Sequence, residues 1–80
     1  MTRKEKLIQK FKINPENIKY ADLELILMGI WFEKIDAKGS HVKFKNKALI
    51  KDVIIPIHNN DCKAFYKKQI YKILINNNLI

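Results

Sequence analysis

His41, Lys43 and Lys45 alternate with Val42 and Phe44 along five residues, and this is the pattern in the chain best suited to chemistry. In an extended strand, successive side chains point to opposite faces. If Val42 and Phe44 cover a core, His41 stands on the open face between lysines. Two neighbouring ammonium groups disfavour an imidazolium, so the ring is expected to be largely neutral at pH 7 and able to accept a proton. Lysines in that position can also hold a phosphate. A neutral imidazole beside bound phosphate is what metal-free cleavage of RNA requires. The ring takes the proton of a ribose 2′-hydroxyl, that oxygen attacks the adjacent phosphorus, and the ammonium groups stabilise the developing negative charge. DNA has no 2′-hydroxyl and would not react. The plain alternative is that His41 is a solvated strand residue after a turn.

Lys38, Gly39 and Ser40 precede His41. They read as the turn into this strand, with Lys38 adding a cation. Ser40 is expected to shape the turn or orient His41, because no carboxylate stands near in sequence to complete a nucleophilic triad. His58 follows an apolar strand and precedes Asn59-Asn60-Asp61, so its first expected role is hydrogen bonding within that turn, and its second is support of the site. Lys63, Lys67, Lys68 and Lys72 read as a solvated helix face. With Tyr66 and Tyr71 interleaved, that face could offer phosphate contacts and a stacking base. Trp31 and Phe32 flank a helix–strand junction and are expected to pack rather than to stack on bases. Cys62 is the lone cysteine, which rules out an internal disulfide, and nothing marks it as activated. The scattered His and Cys residues lack metal-ligand spacing, and no glycine-rich phosphate loop or carboxylate pair occurs. No cofactor or metal is expected.

These groups need elements to hold them. With 80 residues, the chain suffices for one domain spanning 1–80. A domain of this size buries roughly 60–65% of the surface its unfolded chain exposes. Its core is therefore thin, and a large enclosed cofactor is disfavoured. The hydrophobic fraction of 48% argues for a folded protein. Sixteen Lys and Arg against eight Asp and Glu give a formal charge of +8, which suits a polyanionic partner. Some of that lysine content is what AT-rich coding sequence tends to give. No apolar run is long enough to span a membrane, so the default is a cytoplasmic protein without membrane contact.

Thr2 and Glu5 fit a capping box, and Leu7, Ile8 and Phe11 lie on one helical face. Pro15 closes this first helix, a segment of residues 1–14 that precedes the rest. Leu23, Ile26, Leu27 and Ile30 form the stripe of a second helix, about 21–30, with Gly29 as its stop signal. From Trp31 the period becomes two: strands are expected over 31–37, 41–46 and 53–57. Pro56 cannot donate to a ladder, which places the third strand at an edge or leaves that position unpaired. Tyr66, Ile70, Ile73 and Leu74 form the apolar face of a last helix, about 63–76. The sum is an α+β fold: three antiparallel strands with helices packed on one face.

Several segments together resemble the HicA toxins. These are Phe32-Glu33, Lys38-Gly39-Ser40-His41, Ile55-Pro56-Ile57-His58-Asn59-Asn60 and Ile70-Tyr71-Lys72-Ile73-Leu74. The leucine-rich helix before Phe32 matches as well, so the resemblance covers roughly residues 20–76. It implies a fold like the double-stranded-RNA-binding domain. It implies a metal-independent endoribonuclease that cleaves messenger RNA and arrests growth, with the catalytic histidine at His41. It implies a partner as well, a HicB-type antitoxin that covers the site. The RNA would be gripped by Lys38, Gly39, Ser40, Lys43, Lys45, Lys63 and Lys67. Many members carry a second histidine directly after the first, where this chain has Val42. Many also carry a base where it has Asp36. The alternative is a non-catalytic module that binds RNA or DNA with the same basic face. A third option is a protein-interaction subunit whose basic surface meets an acidic partner.

Overall fold

The computed structural model describes residues 2–37 and 39–80. Its elements are α1 (Arg3–Ile13), a short 3₁₀ turn (Pro15–Asn17), α2 (Tyr20–Gly29), β1 (Glu33–Asp36), β2 (His41–Lys45), β3 (Val53–Pro56) and α3 (Ala64–Asn76). The expected order and α+β class are those observed, with ends displaced by a residue or two. The start of the first strand is among the largest of these displacements, at Glu33 rather than Trp31.

The three strands form one antiparallel sheet in the order β1-β2-β3. β2 is thus central and β3 an edge, as Pro56 requires: it lies opposite His41 with its donor-less nitrogen at the strand's end. Phe44 and Ile55 are fully buried on one face of this sheet. They join Leu23, Ile26 and Leu27 of α2 and Ile70 and Leu74 of α3 in a single core cluster. The helices therefore cover one face of the sheet, and the face of opposite parity is open.

The first helix is not an appendage. Thr2 caps it by accepting from the backbone N–H of Glu5 at 3.2 Å, and its Phe11 is fully buried. The Phe11 ring meets the Tyr71 ring edge-on, with centroids 5.6 Å apart. α1 also crosses α2 closely. A Cβ on Gly29 would stand 3.2 Å from the aliphatic stem of Lys4, so glycine here serves the helix contact more than the helix end.

α2 ends at Gly29, and the left-handed reversal that closes it follows two residues later. Ile30 is its C-cap, Trp31 N–H donates to Met28 O, and Phe32 N–H donates to Leu27 O at 3.0 Å. That is a Schellman closure, with the apolar pair Phe32 and Leu27 both buried beneath it. Its left-handed position, usually glycine, is filled by Trp31 at φ 74°. No helix among the described residues is long and apolar enough to cross a membrane.

Candidate functional site

Strand register assembles the open face. Glu33 lies opposite Lys45, and Ile35 opposite Lys43. On the other side of β2, Lys43 faces Ile54 and His41 faces Pro56. Directly opposed residues share a face. The open side therefore carries His41, Lys43 and Lys45 down its middle, with Glu33 and Ile35 on one flank and Ile54 and Pro56 on the other. His41 and Lys45 are exposed, and Lys43 is half-buried. The Lys43 ammonium lies 3.7 Å from Asp52, so part of its charge is answered within the chain.

The turn before His41 is closed by backbone bonds: Ala37 N–H donates to His41 O at 3.1 Å, and Ile57 N–H donates to Ser40 O at 2.7 Å. Gly39 sits at φ 71°, which a side chain would strain. Gly39 and Ser40 are exposed beside His41. Lys38 lies outside the described residues.

Position 42 has the opposite parity. Val42 is half-buried and packs against the core cluster, opposite Ile55. A side chain here points under the helices, whereas position 41 faces solvent.

His58 is exposed and bridges to Asp61 through backbone bonds: His58 N–H donates to Asp61 O at 2.8 Å, and Asp61 N–H donates to His58 O at 3.0 Å. Asn59 and Asn60 between them take positive φ, 52° and 61°, which asparagine tolerates better than most residues. The expected role of His58 in the turn is thus filled by its backbone, and its ring remains exposed. It lies two residues beyond Pro56, where β3 ends.

The last helix differs from the expectation of a solvated basic face. Lys67 is buried, with 6% exposure, and its ammonium lies 3.1 Å from Asp61. Lys68 is paired with Glu16 at 2.7 Å. Tyr71 is committed to Phe11. Lys63 and Lys72 are exposed. α3 places Ile70 and Leu74 in the core on the covered side, so Lys63 and Lys67 do not join the lysines of the open face. Lys67 is thus not presented as the expected phosphate contact, because its buried ammonium is paired with the exposed Asp61 carboxylate.

Around that pair lies a second polar cluster. Asp61 accepts from the Cys62 backbone N–H at 2.8 Å, and this bond, followed by the Lys67 contact, holds its carboxyl below the usual aspartate range. Burial raises the Cys62 thiol, which fits an inert core cysteine. Burial, followed by the charge of Glu24, raises Tyr20 well above an ordinary phenol, and its hydroxyl is buried without a hydrogen-bond partner. Among the described residues, no group of three His, Cys, Asp or Glu is placed to hold a metal.

Trp31 overturns the packing expectation. Its side chain is 89% exposed, whereas Phe32 next to it is 5% exposed. The left-handed turn sends one aromatic out and the other in. A non-glycine residue held there costs about 1–2 kcal/mol. The chain signals this only indirectly, by an α2 stripe that ends without a glycine at the reversal.

No family model, curated protein or solved structure matches this chain.

Proposed function

We propose that this protein is a toxin-type endoribonuclease that cleaves messenger RNA without a metal, with His41 as the general base. The observation carrying the reading is the exposed imidazole of His41 on the open face of the sheet, in one row with Lys43 and Lys45. The resemblance of residues 20–76 to the HicA toxins supports it from the sequence side. Position 42 does not weaken it, since a residue of that parity faces the helices.

In this reading the RNA strand runs across the open face. Lys43 and Lys45 hold phosphates, and the Gly39-Ser40 turn offers close approach to the backbone. His41 removes the 2′-hydroxyl proton. The 2′-oxygen bonds to phosphorus, and the bond from phosphorus to the 5′-oxygen breaks. The products are a 2′,3′-cyclic phosphate and a 5′-hydroxyl, the released oxygen taking up one proton. His58, exposed two residues beyond the end of β3, is the supporting group that would donate it. A HicB-type antitoxin would neutralise the enzyme by covering this face, and cytoplasmic RNA would be its target.

The test is induction of growth arrest by the wild type and by His41→Ala, with total RNA inspected. Arrest and RNA cleavage are expected for the wild type only, and cleavage in extracts should persist in EDTA. Arrest by both proteins, or tight RNA binding without cleavage, would favour the non-catalytic binding module instead.

A further inference from the structure

The far end of the same face carries a feature that neither the fold nor the cleavage step uses. Trp31 is the chain's sole tryptophan. It combines 89% exposure with a left-handed backbone, φ 74°, that bulky side chains rarely adopt. Such strain persists only where the surroundings enforce it. Here they do. Two Schellman bonds fix the backbone from the α2 side. From the β2 side, the Asn46 amide donates to Ile30 O at 3.2 Å, and the same Asn46 side chain accepts from Ala48 N–H at 2.7 Å. The backbone that carries the indole outward is thus fixed by hydrogen bonds on both sides, although a glycine would close the turn without strain.

What the indole faces is informative. It shares a shallow groove with Glu33, Lys45, Lys47, Ile50 and Asp52. Lys45 is the last residue of the His41–Lys43–Lys45 row, so the groove continues the open face. His41 and Lys45 are four residues apart on β2, about 13 Å at ~3.3 Å per residue. At about 3.4 Å per stacked nucleotide, that is roughly four nucleotides of one strand.

We propose that Trp31 is a stacking platform for an unpaired base, so that the ribonuclease takes single-stranded RNA with a base seated on the indole beyond the Lys45 end of the row, at least about four nucleotides from the cleaved bond. The inference rests on the reading of His41 as the cleaving group and adds the strandedness of the substrate. A base within a duplex has both faces stacked and cannot lie on an indole. An unpaired one can, in any sequence, because every base has a π face. Lys45 and Lys47 supply cations for the flanking phosphates. Glu33 and Asp52 keep the groove from being uniformly basic, so stacking supplies attraction there that charge alone does not.

The experiment uses the full chain and a mixed-sequence RNA dodecamer with 2′-O-methyl groups, which this mechanism cannot cleave. Binding is read by anisotropy of a labelled oligonucleotide, and stacking by the intrinsic fluorescence of Trp31. Saturation should quench the tryptophan. Trp31→Gly should weaken single-strand binding by about tenfold to a hundredfold, with little change for a duplex of the same sequence. Trp31→Phe should recover much of the loss. Because glycine suits the left-handed position, the thermal midpoint of Trp31→Gly should not fall.

Binding without quenching, or equal affinity for Trp31→Gly and wild type, would overturn the platform and leave the cleavage reading intact. So would a Trp31→Gly variant that keeps RNA affinity and loses only its protein inhibitor, which would make the indole a protein contact. Absence of any binding at low salt would overturn the cleavage reading itself.

Discussion

On the covered face of β2, Phe44 is fully buried and Val42 packs at its side; on the open face, one residue away in each direction, His41 and Lys45 are exposed. The same five residues thus serve the core with one parity and the surface with the other. A strand that must do both needs no extra length, only strict alternation, and a shift of one residue would exchange the two sets. Stability and activity should therefore separate cleanly by residue number along β2. They should not separate in α3, where Lys67 looks like surface by composition and is interior by position.

The largest effect is expected on the covered face. Phe44→Ala removes a fully buried aromatic and should cost about 3–5 kcal/mol in urea unfolding, enough to unfold much of an 80-residue domain. His41→Ala should lower RNA cleavage by about a hundredfold to ten-thousandfold, while its unfolding free energy stays within about 0.5 kcal/mol of wild type. If His41→Ala destabilised as Phe44→Ala does, the two faces would not be distinct.

Next comes the pair that blurs the division. Asp61→Asn leaves the buried Lys67 ammonium with a weaker partner and should cost about 1–3 kcal/mol. Lys67→Met removes the buried charge together with its need for a partner and should be near neutral. The Asp61 carboxyl is held below its ordinary range in the folded protein. Its contribution is therefore complete above the unfolded aspartate value, about 3.9, and is lost as pH falls from there through the lower folded value. Asp61→Asn should flatten the stability profile in that acid window, as followed by circular dichroism. A profile unchanged by the substitution would mean that the contact contributes nothing.

The smallest effect concerns the row of lysines. Lys45→Ala should weaken RNA binding modestly and reduce the salt dependence of log affinity by about 0.7 for one lost single-strand phosphate contact. Lys43→Ala should do less than Lys45→Ala, since Lys43 already faces Asp52 at 3.7 Å. Equal slopes for the wild type and both variants would remove the row from the RNA path.

Much of this was legible in the chain because the local signals agree with one another. Alternation in 41–45, the proline in the third strand and the stripes of the helices each point to the observed sheet and its covered face. The exposure of His41 follows from parity alone. Three features were not legible, and each depends on something periodicity does not carry. The outward Trp31 depends on a left-handed reversal occupied by tryptophan where glycine is usual. The burial of Lys67 depends on the turn His58–Asp61 bringing a carboxylate back over the first turn of α3. The integration of α1 depends on Phe11 finding Tyr71, a contact between the two ends of the chain.

The most direct test of the central claim is the chemistry of the cut ends. RNA digested by the purified protein in EDTA should carry 2′,3′-cyclic phosphate on one fragment and 5′-hydroxyl on the other, and a substrate with a single 2′-deoxy sugar at the cleavage site should resist. Fragments ending in 3′-hydroxyl and 5′-phosphate, or equal cleavage of the deoxy-substituted strand, would contradict an imidazole at position 41 acting on the ribose hydroxyl.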